Sequence, residues 1–321
     1  MNRFVLAADP DAPPPGLEGA VYSIGNFDGL HLGHRAVIER AIALARQRGA
    51  PAALLTFEPH PANHFAGRPV VFRLTPEPLK ARLCERAGLD GMVVLTFDAA
   101  LAAKSAEDFV ADVLVRRLGV GAVVVGWDFH FGKSRSGSPA FLAEAGRRHG
   151  FAVDIVPKVE DGESGHAEVV SSTGVRRALE RGDVAAARRA LGRNYSVSGA
   201  VIPGQRLGRT LGVPTANLAL DPTNRLAHGV YAVWATVDGE RRPGVASFGV
   251  RPTVDNGPPL LEVHLLGFSG NLYGREMEVE FVDRIRPELK FDSLDALKAE
   301  MERDKERAGE ILHAGGAAPR R

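Results

Sequence analysis

The chain lacks several things, and each absence narrows what it does. Its 321 residues include one cysteine, Cys84, so no disulfide forms within the chain and a reducing compartment is expected. Charge nearly cancels: 40 Lys and Arg against 39 Asp and Glu leave a formal +1, too little to hold nucleic acid by bulk electrostatics. No apolar run is long enough to span a bilayer, and the opening MNRFVLAADPDAPPPG has no apolar core of a secretory leader. A cytoplasmic protein without membrane or nucleic-acid partners is the expectation. What is present is a globular mixture, 45% hydrophobic and 25% charged, long enough for two domains and free of internal repeats.

The first part alternates strand and helix. Val21–Ile24, AALLTF (52–57), GMVVLT (91–96), GAVVVG (121–126) and FAVDIV (151–156) read as nearly continuous apolar strands. Such runs separated by helices predict a parallel sheet covered on both faces, with ligands beyond the strand carboxyl ends. SAEDFVADVLVRRLG begins with a capping-box-like Ser105 and Asp108 and stops at Gly119. HPANHFAGRPVVFRLTP (60–76), interrupted by proline, predicts a long loop near that edge. Near residue 190 the pattern changes to short alternating strands with turn signals. VYAVWATVDGERRPGVASFGV carries an Asp-Gly turn, and EMEVEFVDRI sets Met277, Val279 and Phe281 against Glu276, Glu278 and Glu280. This half predicts a small antiparallel barrel closed by a charged helix at about 293–308, so the domains are expected at 1–190 and 191–321.

Five stretches carry chemistry. GNFDGLHLGH (25–34) lies between a strand and a helix, and a helix start with free N–H groups and two histidines, His31 and His34, suits phosphate. His60 and His64 offer a weaker zinc alternative, since Pro61 is expected to break the helix that would align them. GWDFHFGKSRSG (126–137) ends in a phosphate-loop-like Gly-Lys-Ser, but Trp127 stands where that loop needs glycine; Asp128 at a strand end remains. SSTGVRR places Ser171, Ser172 and Thr173 at a helix start with Arg176 and Arg177 one turn on, more than a cap requires. In the second half, Gly204, Gly208 and Gly212 precede Pro214-Thr215-Ala216-Asn217, a pattern for close phosphate approach and neutral oxygens toward Mg²⁺. In LLEVHLLGF, Glu262 and His264 face away from Leu261, Val263 and Leu265; taken alone, such a Glu is as well explained by solvent.

Together these stretches, with TFEPHP, GVYAV, GVASFGVRPT and RIRPELKFDSLDALKAEMERDKERA, resemble the bacterial bifunctional riboflavin kinase/FMN adenylyltransferase (FAD synthetase) family over nearly the whole chain. The resemblance implies an N-terminal Rossmann-like nucleotidyltransferase α/β domain and a C-terminal six-stranded antiparallel kinase β-barrel. It implies that riboflavin is phosphorylated to FMN in the second domain and FMN adenylylated to FAD in the first, using Mg²⁺ and ATP. By the same resemblance His31 and His34 contact ATP phosphates, with Asn26, Asp28, Gly33, Asp128, Ser172, Thr173 and Arg176 around the nucleotide. In the barrel, Gly204, Gly208, Gly212, Thr215 and Asn217 match the Mg²⁺-ATP segment, Glu262 the catalytic base, and Arg251 and Arg286 the flavin end. Family members commonly read G-E-D-F-R-F-G where this chain has Trp127 and His130. The expected partners are riboflavin, FMN and ATP, with a monomer or weak homo-oligomer. Alternatives are a chain with one active domain, a flavin-storing or flavin-sensing protein, or a nucleotidyltransferase for another alcohol phosphate.

Overall fold

A strand made from AALLTF or AVVVG has no polar face and must be covered on both sides. The computed structural model, which describes residues 3–159, 170–203, 215–249 and 259–314, covers these strands in that way. β1 (Val5–Ala8), β2 (Val21–Ile24), β3 (Ala52–Glu58), β4 (Gly91–Thr96), β5 (Ala122–Gly126) and β6 (Ala152–Val156) form one parallel sheet in the order β1-β4-β3-β2-β5-β6. On one face, α1 (Leu32–Arg48) and α3 (Glu77–Arg86) pack Val37, Ile38, Ala41, Leu79 and Leu83 onto Val21, Leu54, Met92 and Val124. On the other, Val110, Val113 and Leu142 cover Tyr22, Leu55, Val93 and Val123. Val110 and Val113 belong to π-helical turns, Phe109–Arg117, that continue the short α5 (Ala106–Asp108) just after α4 (Ala99–Ala103), and Leu142 lies on α6 (Pro139–His149). Ser105 caps that start as expected, accepting from the Asp108 N–H at 3.0 Å.

Two elements depart from the sequence reading. β1 was not foreseen. The expected loop at 60–76 contains α2 (Pro61–Ala66), in which Pro61 starts the helix instead of breaking it. Proline is at home in a first turn because its missing N–H would go unpaired there. His60 is the cap, its Nδ1 accepting from the Ala62 N–H at 3.2 Å. Among the described residues, no group of three or more His, Cys, Asp or Glu is placed to hold a metal ion.

The chain divides into two compact units, Met1–Ser172 and Thr173–Arg321. The second begins with α7 (Ser172–Glu180), apart from its first residue, and α8 (Val184–Leu191), and α8 packs on β7 (Tyr195–Ile202) and β12 (Glu276–Arg286). With β8 (Ala216–Ala219), β9 (Gly229–Val237), β10 (Glu240–Gly249) and β11 (Leu260–Leu265) these strands close a barrel in the order β10-β11-β8-β7-β12-β9. The Asp-Gly hairpin joins β9 to β10 as expected, both residues left-handed with φ of 50° and 82°. Inside, Tyr195, Tyr231, Phe248 and Phe281 fill the barrel. Outside, α9 (Leu294–Ala314), longer than expected, lays Ala308 and Leu312 over Ala232 and Trp234.

Candidate active sites

The strand order of the sheet changes direction between β2 and β5. Chain leaving β2 runs through α1 to β3, while β5 leads the other way to β6, so the loops at their carboxyl ends part and leave a crevice. The β2 loop delivers GNFDGLHLGH to it. α1 has no acidic residue in its first turn, where one would ordinarily complement the dipole. Instead His31 caps it, Nδ1 accepting from the His34 N–H at 3.3 Å, and the two imidazoles stack with centroids 3.6 Å apart. Gly33 allows this: a Cβ there would stand 3.1 Å from the His31 ring. The result is a helix start with imidazoles and backbone donors of the kind that suit an anion.

The turn before it is strained. Phe27 and Leu30, neither a glycine, have φ of 47° and 44°, and Gly29 has 95°. Left-handed non-glycine residues cost about 1–3 kcal/mol each and persist only where the surroundings over-determine them. Asp28 supplies part of that constraint. Its buried carboxylate accepts from the N–H groups of Leu74 (3.0 Å) and Thr75 (2.9 Å). The Gly29 N–H donates to Thr75 Oγ1 at 2.9 Å, and the Ser172 hydroxyl donates to the Asp28 carbonyl at 2.7 Å. Beneath lies Lys80, 1% exposed, beside Glu58, which Arg73 grips with two bonds of 2.6 and 2.5 Å. Burial pulls the Lys80 ammonium below its usual range against the attraction of Glu58. Burial raises Glu58, yet Arg73 and Lys80 outweigh it and hold the carboxyl low.

At the end of β5, Asp128 turns back over Gly126, its Oδ1 3.2 Å from where a Cβ would stand. Gly126 shares the parity of Ala122 and Val124, which face α1, so this carboxylate returns toward the α1 side of the sheet. Trp127 is 50% exposed beside it, and His130 Nδ1 bonds the Asp128 carbonyl at 2.8 Å. Gly132-Lys133-Ser134 forms a tight turn with the Lys133 N–H on the Lys104 carbonyl, unlike a strand-to-helix phosphate loop. Thr173 and Arg176 lie on α7, which belongs to the second unit apart from Ser172.

Sequence reasoning missed an aromatic shelf on the face opposite α1. Phe57, Phe109 and Phe131 run out through Phe97 to His64 and Phe65 in contacts of 5.4 to 6.4 Å. Phe65, 72% exposed, offers solvent a flat apolar surface at the ligand edge. The available signal was an aromatic in HPANHF among residues taken as loop.

In the barrel, Glu262 stands directly opposite Asn217 in the β11–β8 ladder and opposite Ser247 in the β11–β10 ladder. These three form one row across the outer surface, while Leu261, Val263 and Leu265 point inward. Asn217 is 5% exposed, and Thr215, half-buried, precedes β8. Carboxylate, amide and hydroxyl oxygens are the hard donors that suit Mg²⁺. Gly204, Gly208, Gly212 and Arg251 lie outside the described residues. Arg286 is engaged by α9: its guanidinium bonds Asp304 at 2.9 and 2.7 Å. The thiol of Cys84 is buried, which pushes it up to about 12, so it is inert as a nucleophile.

Family models match both units, FAD synthetase over residues 14–174 and riboflavin kinase over 191–312. A bifunctional riboflavin kinase/FMN adenylyltransferase of Haemophilus influenzae is 42% identical, across 91% of this chain and 94% of its own. The chain belongs to this bifunctional family. Family members of the same name from Pseudomonas fluorescens and Escherichia coli K12 are 43% and 42% identical, covering 90% and 92% of this chain and 92% and 93% of theirs. A solved structure from Streptococcus pneumoniae, described as a macrolide-efflux protein, shares the fold with a TM-score of 0.81 and 29% identity over 95% of this chain and 99% of that one. No helix among the described residues here is long and apolar enough to cross a membrane. The bifunctional family thus accounts for both folds in one chain.

Proposed function

We propose that the chain makes FAD from riboflavin in two ATP-dependent steps, the first on the barrel and the second on the parallel-sheet unit. The observation that carries this reading is the contrast in donors: a carboxylate registered against Asn217 in one unit, a histidine pair on an acid-free helix start in the other. A ribityl hydroxyl is neutral and needs its proton taken as it attacks the γ-phosphate of ATP and releases ADP; Glu262 accepts that proton. Thr215 and Asn217 would hold Mg²⁺, which when bound neutralises charge on the ATP phosphates. Gly204, Gly208 and Gly212 are assigned to the same nucleotide.

The FMN phosphate is already an anion and needs no base. It attacks the α-phosphate of ATP, the bond to the β-phosphate breaks, and pyrophosphate leaves. Charge growing on the α-phosphate is met by His31, His34 and the helix N–H groups. One well-placed donor is worth about 3 kcal/mol in such a role, or roughly a hundredfold in rate. Gly33 lets His31 fold over the cap, and Asn26 and Asp28 shape the turn. Asp128, Ser172, Thr173 and Arg176 are assigned to the same ATP, and the aromatic shelf gives the flavin ring a face. At the kinase flavin end we assign Arg251, and Arg286 through its hold on α9. The activities divide as 1–190 and 191–321, in a cytoplasmic monomer or weak homo-oligomer. Incubation with riboflavin and Mg-ATP, followed by separation of riboflavin, FMN and FAD, tests the reading. FMN followed by FAD supports it; unchanged riboflavin, with added FMN also unchanged, overturns it.

A further inference from the structure

Lys80, Glu58 and Arg73 under the β2 loop have no part in either reaction as written, yet their bonds lead, directly or through Asp28, to the turn that carries His31. Lys80 sits on α3 with three donors and three acceptors: the Asn26 carbonyl at 2.9 Å, Thr56 Oγ1 at 3.1 Å and Glu58 Oε1 at 3.4 Å. Thr56 Oγ1 also donates to the Asn26 carbonyl at 3.1 Å, so both lone pairs of that oxygen are held. Asn26 is the second residue beyond β2. Two residues later Asp28 is fixed to Leu74 and Thr75, with Arg73 Nε 3.9 Å from its carboxylate. Arg73 in turn binds Glu58 and closes the circuit. Two acids and two bases balance, which explains how four charged side chains stay inside the fold.

The arrangement fastens the turn at two points, the Asn26 carbonyl and the Asp28–Gly29 peptide, on either side of the left-handed Phe27. Both Lys80 and Thr75, which make these fastenings, are buried. We propose that Lys80 and Thr75 are positioning residues for adenylyl transfer: they hold the strained turn, and with it the His31 cap, in reactive geometry before ATP arrives. Such a clamp spares the reaction the reorganisation of its donors. This inference rests on the proposed adenylyl transfer at the α1 start.

The full chain tests it, because the barrel is an internal reference. Thr75→Val removes the hydroxyl that Gly29 donates to; Lys80→Met removes the ammonium and keeps the length. With FMN and Mg-ATP, each is expected to lose at least about tenfold in kcat for FAD formation. Misplacement by about 1 Å costs roughly a hundredfold. The KM for FMN should stay within about twofold, riboflavin phosphorylation should be unchanged, and Thr75→Ser should restore kcat. Val113→Ala, a cavity on the far face of the same sheet, controls for loss of stability alone and should leave kcat near wild type. The inference fails if Thr75→Val and Lys80→Met keep kcat within about twofold of wild type, if Thr75→Ser is as slow as Thr75→Val, or if Val113→Ala slows the reaction as much. A wild-type chain that makes no FAD from FMN overturns the underlying reading instead.

Discussion

The two units place polar chemistry at different points of their strands. In the parallel sheet both faces of β2 and β5 are buried, so the residues we assign to chemistry lie where strands end and loops part, at the caps and turns around His31 and Asp128. In the barrel one strand face is filled with apolar side chains, so Glu262 and Asn217, the pair we assign to the kinase step, lie mid-strand on the other face, aligned by ladder register. A strand-end site has to be held in shape by whatever lies beneath it, hence the buried salt network. A mid-strand site inherits its geometry from the hydrogen-bonded ladder. The chemistry we propose follows the same division: backbone and imidazole donors to receive charge in one unit, and a carboxylate to remove a proton in the other.

The sharpest way to break the comparison is Glu262→Gln. It keeps shape and hydrogen bonding but removes the base, and loss of a general base costs roughly 10²–10⁴-fold. Riboflavin phosphorylation should collapse while added FMN still becomes FAD at the normal rate. Phosphorylation within about threefold of wild type, far inside that range, would make Glu262 a surface carboxylate and turn attention to His264 on the same face.

His31→Ala is the mirror experiment. FAD formation from FMN should slow by about a hundredfold for one lost donor, with FMN production near wild type. Equal loss of both activities in a folded variant would argue against separate sites.

How far these sites were legible differs by unit, for physical reasons. Strands β3 to β5 announce themselves as apolar runs because both faces are covered, and the barrel strands by alternation because one is. β1, four residues at the sheet edge and only partly covered, has too little of either pattern. α2 was hidden by Pro61, whose effect depends on whether it sits in the first turn or later. The histidine pair was readable as a motif, whereas its support was not: Asp28, Glu58, Arg73 and Lys80 are scattered along the sequence and look like surface charges until the fold gathers them. The opposition of Glu262 and Asn217 likewise needs the register.

The boundary between the units gives a smaller effect. A fragment of 191–321 drops α7 and most of α8, losing the buried Val175, Ala178, Leu179, Val184 and Ala187. These helices are tied to barrel residues: the Ala227 N–H donates to the Leu179 carbonyl at 2.9 Å, and Arg225 pairs with Glu180 at 3.2 Å. A fragment of 173–321 should therefore melt higher and phosphorylate riboflavin more durably on heating. Equal melting of the two fragments would show that the helices add nothing to the barrel.

Acid should touch the two units unequally, and this is the subtlest expectation. Glu58 has its folded pKa held below the ordinary 4.5, chiefly by Arg73 and Lys80 against the opposing effect of burial. A carboxyl whose folded pKa is depressed contributes stability that is present above its unfolded value and lost as pH falls through the folded one. Lys80, whose pKa burial lowers, works in the opposite limb: its contribution rises as pH climbs from its folded value toward 10.5. Below about pH 4.5 the melting temperature of the full chain should fall, and recovery of FAD formation after acid incubation should fail before recovery of riboflavin phosphorylation. Glu58→Gln, which cannot titrate, should start less stable and show a flatter acid limb. If wild type and Glu58→Gln decline in parallel, acid sensitivity lies outside this network, and the strand-end site owes less to its buried charges than to the sheet beneath them.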